Sequence, residues 1–238
     1  MKLTALSCET MFALRQFSHL FFPQVCVSCG DKLLVQEKCI CLKCIFKLPK
    51  TNNFKETDNA LEMLMAGRMP FERIASFCLY SKKGVLAPMM QYLKYRNRDD
   101  IGVLLGKMYG EDLRGSDFLQ PIDIIVPVPL HQKKLKQRGY NQAEMIAKGL
   151  SEATSISIST ENLVRTIHNP TQTKLDKSRR WENVKEIFDV KNPGQFENKH
   201  ILLVDDIITT GSTLEACGVA LQECNNLKIS VAAIGQVL

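Results

Sequence analysis

The chain has 238 residues, 45 % of them apolar and 24 % charged, which excludes intrinsic disorder and leaves room for one α/β domain and a small extra module. Lysine and arginine total 31 against 25 acidic residues; the net charge of +6 suits anionic ligands without choosing among phosphates, pyrophosphate and nucleic acid. Residues 11–22 are apolar, but Arg15, Gln16, Ser18 and His19 interrupt them and Pro23 closes them. That run is too short and mixed to span a bilayer, and fits an amphipathic helix with Met11, Leu14 and Phe21 on one side. No basic segment leads into an Ala-x-Ala-like site, so a cytoplasmic protein without membrane insertion is expected.

Nine cysteines in a reducing compartment point to metal rather than disulfides where they cluster. Cys26 and Cys29 form one C-x-x-C pair, and Cys41 and Cys44 a second, eleven residues on. Each pair can wrap a turn around one ion, and together they supply a tetrahedron of thiolates for a structural Zn²⁺ with no position left for water. Gly30, directly after the first pair, offers the positive φ such a turn needs. Cys39 lies two residues before Cys41 and is an alternative ligand, though the C-x-x-C spacing has the better geometry. Cys8, Cys78, Cys217 and Cys224 stand among apolar neighbours and read as core thiols.

The expected organisation is a helix and zinc-ribbon module over residues 1–50, a polar linker over 51–70, and an α/β domain over 71–238. Within that domain, strands are predicted at 71–80, 122–128, 161–166, 201–204 and 228–237, and helices at 85–95, 99–113, 141–152 and 212–223. Strands alternating with helices imply a doubly wound parallel sheet. Residues 167–186 break the pattern: a long stretch without periodicity that holds Lys174, Lys177, Arg179, Arg180, Lys185 and Trp181, suited to a functional loop.

The densest signal is ILLVDDIITTGST, residues 201–213. Four apolar residues make a buried strand whose carboxyl end delivers Asp205 and Asp206 to the crevice where open α/β sheets bind ligands. Thr209, Thr210, Gly211, Ser212 and Thr213 then place hydroxyls and backbone N–H groups at a helix start, a cradle for phosphate. No lysine follows the glycine, which excludes the P-loop of nucleoside triphosphatases. Two acids beside a phosphate cradle suit a sugar phosphate, the carboxylates taking ribose hydroxyls while the loop holds the 5-phosphate. A ribosyl donor is the natural ligand.

This segment resembles the phosphoribosyl pyrophosphate motif of type I phosphoribosyltransferases. The stretch VPVPLHQKKLKQRGYNQAE, residues 126–144, resembles the signature of the ComF competence-protein family, which includes GntX-like proteins. The four-cysteine ribbon and the later Gln172, Leu175, Arg180 and Asn183 match the same family, so the resemblance runs from Cys26 to Leu238. It departs after Asn183, where the family often continues Gly-Ala-Phe and this chain has Glu186, Ile187 and Phe188.

The resemblance implies a type I phosphoribosyltransferase-like parallel sheet flanked by helices. It implies an enzyme that binds phosphoribosyl pyrophosphate with Mg²⁺ and transfers phosphoribosyl to a nitrogenous base or nucleotide, with Asp205 and Asp206 as catalytic residues. It further implies a pyrophosphate seat at Pro129, Leu130 and the loop after them, with Arg138 as the strongest of the nearby cations (Lys133, Lys134 and Lys136 being the others), and a covering loop that closes Arg180 over the pyrophosphate. Lys94 and Arg96 can contribute to the anion field, although a helix end rich in lysine and arginine needs no function to explain it. Two alternatives stand beside the enzyme: a non-catalytic binder of the donor or a nucleotide, and an accessory factor in DNA uptake that touches single-stranded DNA or competence-machinery proteins. No stacking aromatic cluster is visible to favour the last.

Overall fold

The structure is a computed structural model that describes residues 24–166 and 187–237. The expected helix through Met11, Leu14 and Phe21, and the segment 167–186 with Arg180, lie outside those residues. The chain divides into two compact units, between Leu48 and Pro49.

The described part of the first unit, residues 24–48, is two turns and a short helix, α1 (Leu42–Phe46). Gly30 takes φ +79°, closing the turn in which its N–H meets the Cys26 carbonyl at 2.9 Å. Val25 and Lys32 form an antiparallel bridge across it, and Val27 N–H reaches the Cys39 carbonyl at 3.0 Å, joining the two cysteine pairs.

The second unit is built on a parallel sheet of β1 (Arg73–Leu79), β2 (Ile124–Pro127), β5 (His200–Ile208) and β6 (Lys228–Gln236), in the order β1-β6-β5-β2. A parallel bridge between Ile125 and Ile158 extends it beyond β2. Among the described residues its helices are α2 (Ala60–Met65), α3 (Leu86–Tyr95), α4 (Asp99–Leu113), α5 (Gln132–Arg138), α6 (Gln142–Thr154) and α7 (Ser212–Leu221). Alternation along β5 explains why both faces are covered. Ile201 and Leu203 join a core with Leu214, Cys217 and Leu221 of α7, whereas Leu202 and Val204, equally buried, face the layer where α6 packs on β2 and β5. That layer is closed by α4 on α6, in a contact too tight for side chains. A Cβ on Gly106 would lie 2.1 Å from the Ile146 carbonyl oxygen, and one on Gly149 2.1 Å from that of Val103.

Two expectations are corrected. The strand predicted at 161–166 is β3 (Leu163–Arg165), and it leaves the parallel sheet to pair antiparallel with β4 (Phe188–Val190), which follows the long intervening segment. Residues 51–70 are not a linker. They form a 3₁₀ turn (Asn53–Lys55) and α2, started by a capping box in which the Asn59 side chain accepts from Glu62 N–H and the Glu62 carboxylate accepts from Asn59 N–H. Glu62 also receives Arg73 Nε at 2.8 Å and Ile74 N–H at 3.0 Å, and Leu61 and Met65 are buried, so α2 is fixed to β1.

Candidate functional site

β5 is longer than its apolar run. It continues through both aspartates to Ile208 because this stretch keeps its pairing with β6, Asp205 opposite Ala233 and Ile208 opposite Gln236. On its other side β2 stops at Pro127, opposite Val204. β5 therefore overhangs β2 and leaves the edge at Asp205 and Asp206 open. β2 continues outward to Ile158, while β5 continues in the opposite direction to β6. The acids thus stand at the point where the strand order reverses, outside the carboxyl ends of the strands, where open α/β sheets take ligands.

The two carboxyl groups differ. Burial pushes Asp205 up to about 7, the neighbouring Asp206 charge adds to this, and the Asp206 N–H, 2.8 Å from Asp205 Oδ1, works against it, as do Lys94 and Arg165 at longer range. Asp206 is paired: Lys94 Nζ, from the last turn of α3, lies 2.8 Å from its Oδ2. Arg165, at the end of β3, lays its guanidinium over the Phe188 ring at 5.3 Å, with its Nε buried and lacking a hydrogen-bond partner among the described residues. Sequence alone offers Lys94 only as a contributor to the anion field or a basic helix end, and does not single out Arg165.

After Ile208 the chain turns through Thr209, Thr210 and Gly211 into α7. Thr209, Thr210, Ser212 and Thr213 are exposed, Thr210 Oγ1 and Ser212 Oγ lie 3.0 Å apart, and Gly211 is buried at φ +74°. A Cβ there would meet Met65 Sδ at 2.2 Å, so the glycine lets the loop lie directly on α2. Arg68, just beyond α2, grips the loop from the same side: Nη1 donates to the Thr210 carbonyl and Nη2 to the Glu215 carboxylate. Arg68 was hidden in the supposed linker.

Across the crevice, Pro129 and Leu130 are half-buried at the exit of β2. The loop expected after them is helix α5, a seven-residue turn with no buried residue. The Arg-Gly-Tyr-Asn-Gln run that closes it proves to be a set of pins. Tyr140 OH donates to the Leu93 carbonyl of α3, Asn141 Nδ2 to the Val128 carbonyl at 3.0 Å, and Gln142 Oε1 accepts from Arg138 Nη1 at 2.7 Å. Arg138 also stacks on Tyr95, 5.4 Å from its centroid. Between α3 and α5 opens a cleft of about 460 Å³ lined by Lys94, Tyr95, Lys134, Lys136 and Arg138 together with Asn97, Gln137 and Gly139, with no acid on its walls among the described residues.

In the first unit the ligand atoms of Cys26, Cys29, Cys41 and Cys44 all lie within 4.8 Å of one another, and the Sγ atoms of Cys29 and Cys41 are 3.7 Å apart. Thiolates about 2.3 Å from a tetrahedral zinc ion stand about 3.8 Å from each other, so the spacing fits such an ion. Burial works against ionising Cys26, but the N–H groups of Cys29, Cys41 and Ser28 outweigh it and bring the thiol to about 7. Cys29 is pushed to about 12: the Asp31 N–H favours its thiolate, but desolvation and the other three sulfurs prevail. Four such groups ionise together only around a cation. Cys39 is buried but stands outside the quartet, which therefore takes Cys41. Cys78, Cys217 and Cys224 are core residues, as expected.

A phosphoribosyl transferase domain model matches residues 136–235, from the end of α5 to the end of β6. The chain is 30 % identical over 181 residues to the DNA utilization protein YhgH of Escherichia coli, covering 75 % of each chain. The chain belongs to the ComF family. Competence protein F of Haemophilus influenzae is 31 % identical over 150 residues, 61 % of this chain and 66 % of that one. Among solved structures, glutamine phosphoribosylpyrophosphate amidotransferase from B. subtilis aligns with 61 % of this chain and 30 % of its own, at 20 % identity and a TM-score of 0.43. The architecture is thus the expected one for this ComF-family chain, a phosphoribosyltransferase-like parallel sheet with flanking helices and a four-cysteine cluster before it. Among the described residues, no helix is long and apolar enough to cross a membrane.

Proposed function

We propose that the chain is a phosphoribosyltransferase that binds phosphoribosyl pyrophosphate with Mg²⁺ and passes the phosphoribosyl group to a nitrogenous acceptor. The observation that carries this is the overhang of β5: two carboxyl groups at an open strand edge, followed at once by a hydroxyl-rich turn at the start of α7.

Thr209, Thr210, Ser212 and Thr213 and the N–H groups of their turn hold the 5-phosphate, a fixed handle that places the sugar. Asp205 and Asp206 accept from the ribose hydroxyls and offset the positive charge that grows at the anomeric carbon as its bond to pyrophosphate lengthens. Arg138, with Lys134 and Lys136, receives the departing pyrophosphate beside Pro129 and Leu130. Arg180 completes that seat from the segment that follows β3. The all-oxygen donor set of the aspartate pair suits Mg²⁺, which when bound would neutralise charge on the leaving group. A cation there would also hold Asp205 ionised against its burial. Cys26, Cys29, Cys41 and Cys44 hold a structural zinc, and a reducing cytoplasmic setting belongs to the same reading because it keeps the thiolates available.

Calorimetric titration with phosphoribosyl pyrophosphate and MgCl₂, then with purine and pyrimidine bases in the same cell, tests this. The expected result is saturable donor binding, pyrophosphate release with one class of base, and loss of both in Asp206→Asn. Donor binding without turnover on any base would leave a sensor of the donor instead of an enzyme. No donor binding would sink the proposal.

A second reading, a DNA-handling role like that named in its relatives, is favoured by the basic cleft and by Tyr95, which is exposed and stacked on Arg138 as a platform for a base. It requires binding of single-stranded DNA that weakens steeply with salt and with Tyr95→Ala.

A further inference from the structure

Lys94 belongs to two places at once. Its ammonium is 2.8 Å from Asp206, with only 23 % and 18 % of the two side chains exposed, and the same residue lines the acid-free cleft with Lys134, Lys136 and Arg138. A ligand that uses Asp206, through a hydroxyl or a divalent cation, competes with that ammonium for the same carboxylate. A cation would also repel it. The four-carbon stem of lysine lets the charge move without moving the helix. The cleft is the adjoining space, yet it already holds three positive side chains, so arrival there is unfavourable unless an anion fills it.

We propose that Lys94 is a specificity residue for the diphosphate arm of the sugar donor: it leaves Asp206 for the diphosphate when the donor binds. This rests on the donor-binding reading above and adds to it a reason why the donor is distinguished from its hydrolysis product. Ribose 5-phosphate offers the same handle and the same hydroxyls, but it displaces the ammonium and gives it no partner. Phosphoribosyl pyrophosphate displaces it and supplies one. The carboxylate stays neutralised by protein until a ligand with both features arrives, so the unproductive sugar phosphate is held weakly. The main-chain anchor of Tyr140 on the Leu93 carbonyl fixes the turn from which Lys94 reaches both positions.

The test is calorimetric titration of the full-length wild type, Lys94→Met and Lys94→Gln, each with Mg²⁺, using phosphoribosyl pyrophosphate, ribose 5-phosphate and inorganic pyrophosphate as separate ligands. Circular dichroism and thermal midpoints establish that each variant is folded, and Lys94→Gln serves where Lys94→Met is not. The expected result is a loss of about tenfold to hundredfold in affinity for phosphoribosyl pyrophosphate, the loss of one charge-assisted hydrogen bond, with a parallel loss for pyrophosphate. Ribose 5-phosphate should bind the variants as tightly as wild type or a few-fold tighter. An unchanged ratio of donor to ribose 5-phosphate affinity, including an equal fall in both, overturns the switch while leaving the donor site intact. A wild type that binds no sugar phosphate overturns the donor reading and the switch together.

Discussion

The cysteine quartet and the aspartate pair both gather acidic groups of one sign, but they differ in what neutralises them. Cys26, Cys29, Cys41 and Cys44 form a closed cluster of four sulfurs, and a tetrahedral ion there has no coordination position left. Asp205 and Asp206 stand at an open strand edge, with one already held by Lys94 and the other made harder to ionise by burial. The first arrangement is complete once one ion is in place, which suits a permanent structural role. The second is balanced against a movable side chain, which suits a ligand that comes and goes.

The largest expected effect lies on the closed site. Binding of a structural zinc ion contributes about 10–16 kcal/mol in small modules of this kind, and among the described residues of the unit ending at Leu48 only Val27, Ile40 and Leu48 are buried apolar residues beyond the cysteines themselves. Cys26→Ser should lower the metal content from one zinc per chain to well below half. It should also abolish amide-exchange protection over residues 24–48 while leaving β5 protected. A variant that retains full protection without metal would show that hydrogen bonds, such as Val27 N–H to the Cys39 carbonyl, hold the unit, and the contrast between the two sites would fail.

Next comes the turn of the open site. Gly211→Ala places a methyl 2.2 Å from Met65 Sδ, where Met65 is 1 % exposed, and imposes φ +74° on a residue with a side chain. Either the buried Met65 thioether or the loop must shift, and the left-handed backbone is strained in both cases. Expected are a loss of about 1–3 kcal/mol in stability and at least tenfold weaker donor binding by titration. Gly194→Ala is the control, its nearest atom being 3.5 Å away, and should change neither. Weaker stability with unchanged donor affinity would mean that the phosphate handle does not lie in this turn.

How far sequence reached follows the same division between local and distant causes. The cysteine pairs, the strand-turn-helix through Asp205 and Gly211 and the bounds of α4 were legible because each depends on residues close in the chain: a spacing, an apolar run, a period. Arg68 on Thr210 spans 142 positions, and neither residue type announces the other. Lys94 on Asp206 is likewise a distant pair, joined only when α3 is laid beside β5. Helix α5 was missed because it buries nothing and so has no apolar period. Residues 51–70 looked like a linker because part of what they bury is polar: Asn53 is 8 % exposed, its Nδ2 donating to Gln236 Oε1 at 3.0 Å and its Oδ1 accepting from Ser76 N–H at 3.0 Å. Composition counts such residues as exposed.

The smallest effect sharpens the contrast within β5 itself, between its two ends. At the amino end His200 is 9 % exposed, and its Nε2 lies 2.9 Å from Ser230 Oγ, a side-chain partner supplied by the fold, whereas Asp205 at the other end has the backbone N–H of Asp206. Burial lowers its pKa below the ordinary 6.5, Glu72 and Asp123 oppose that and Lys228 reinforces it. The folded protein therefore binds fewer protons here than the unfolded chain just below pH 6.5. The contribution of the neutral imidazole is fully present above that pH and is lost as pH falls through it. Unfolding by urea between pH 5.5 and 7.5 should show stability falling toward acid in wild type, by at most about 1.4 kcal/mol per pH unit for one proton, and falling less in His200→Gln. Parallel slopes would mean that His200 takes its proton in the folded state as easily as in the unfolded one. The hydrogen bond to Ser230 would then not satisfy the neutral ring, and the amino end of the strand would be no better settled than the end that awaits a ligand.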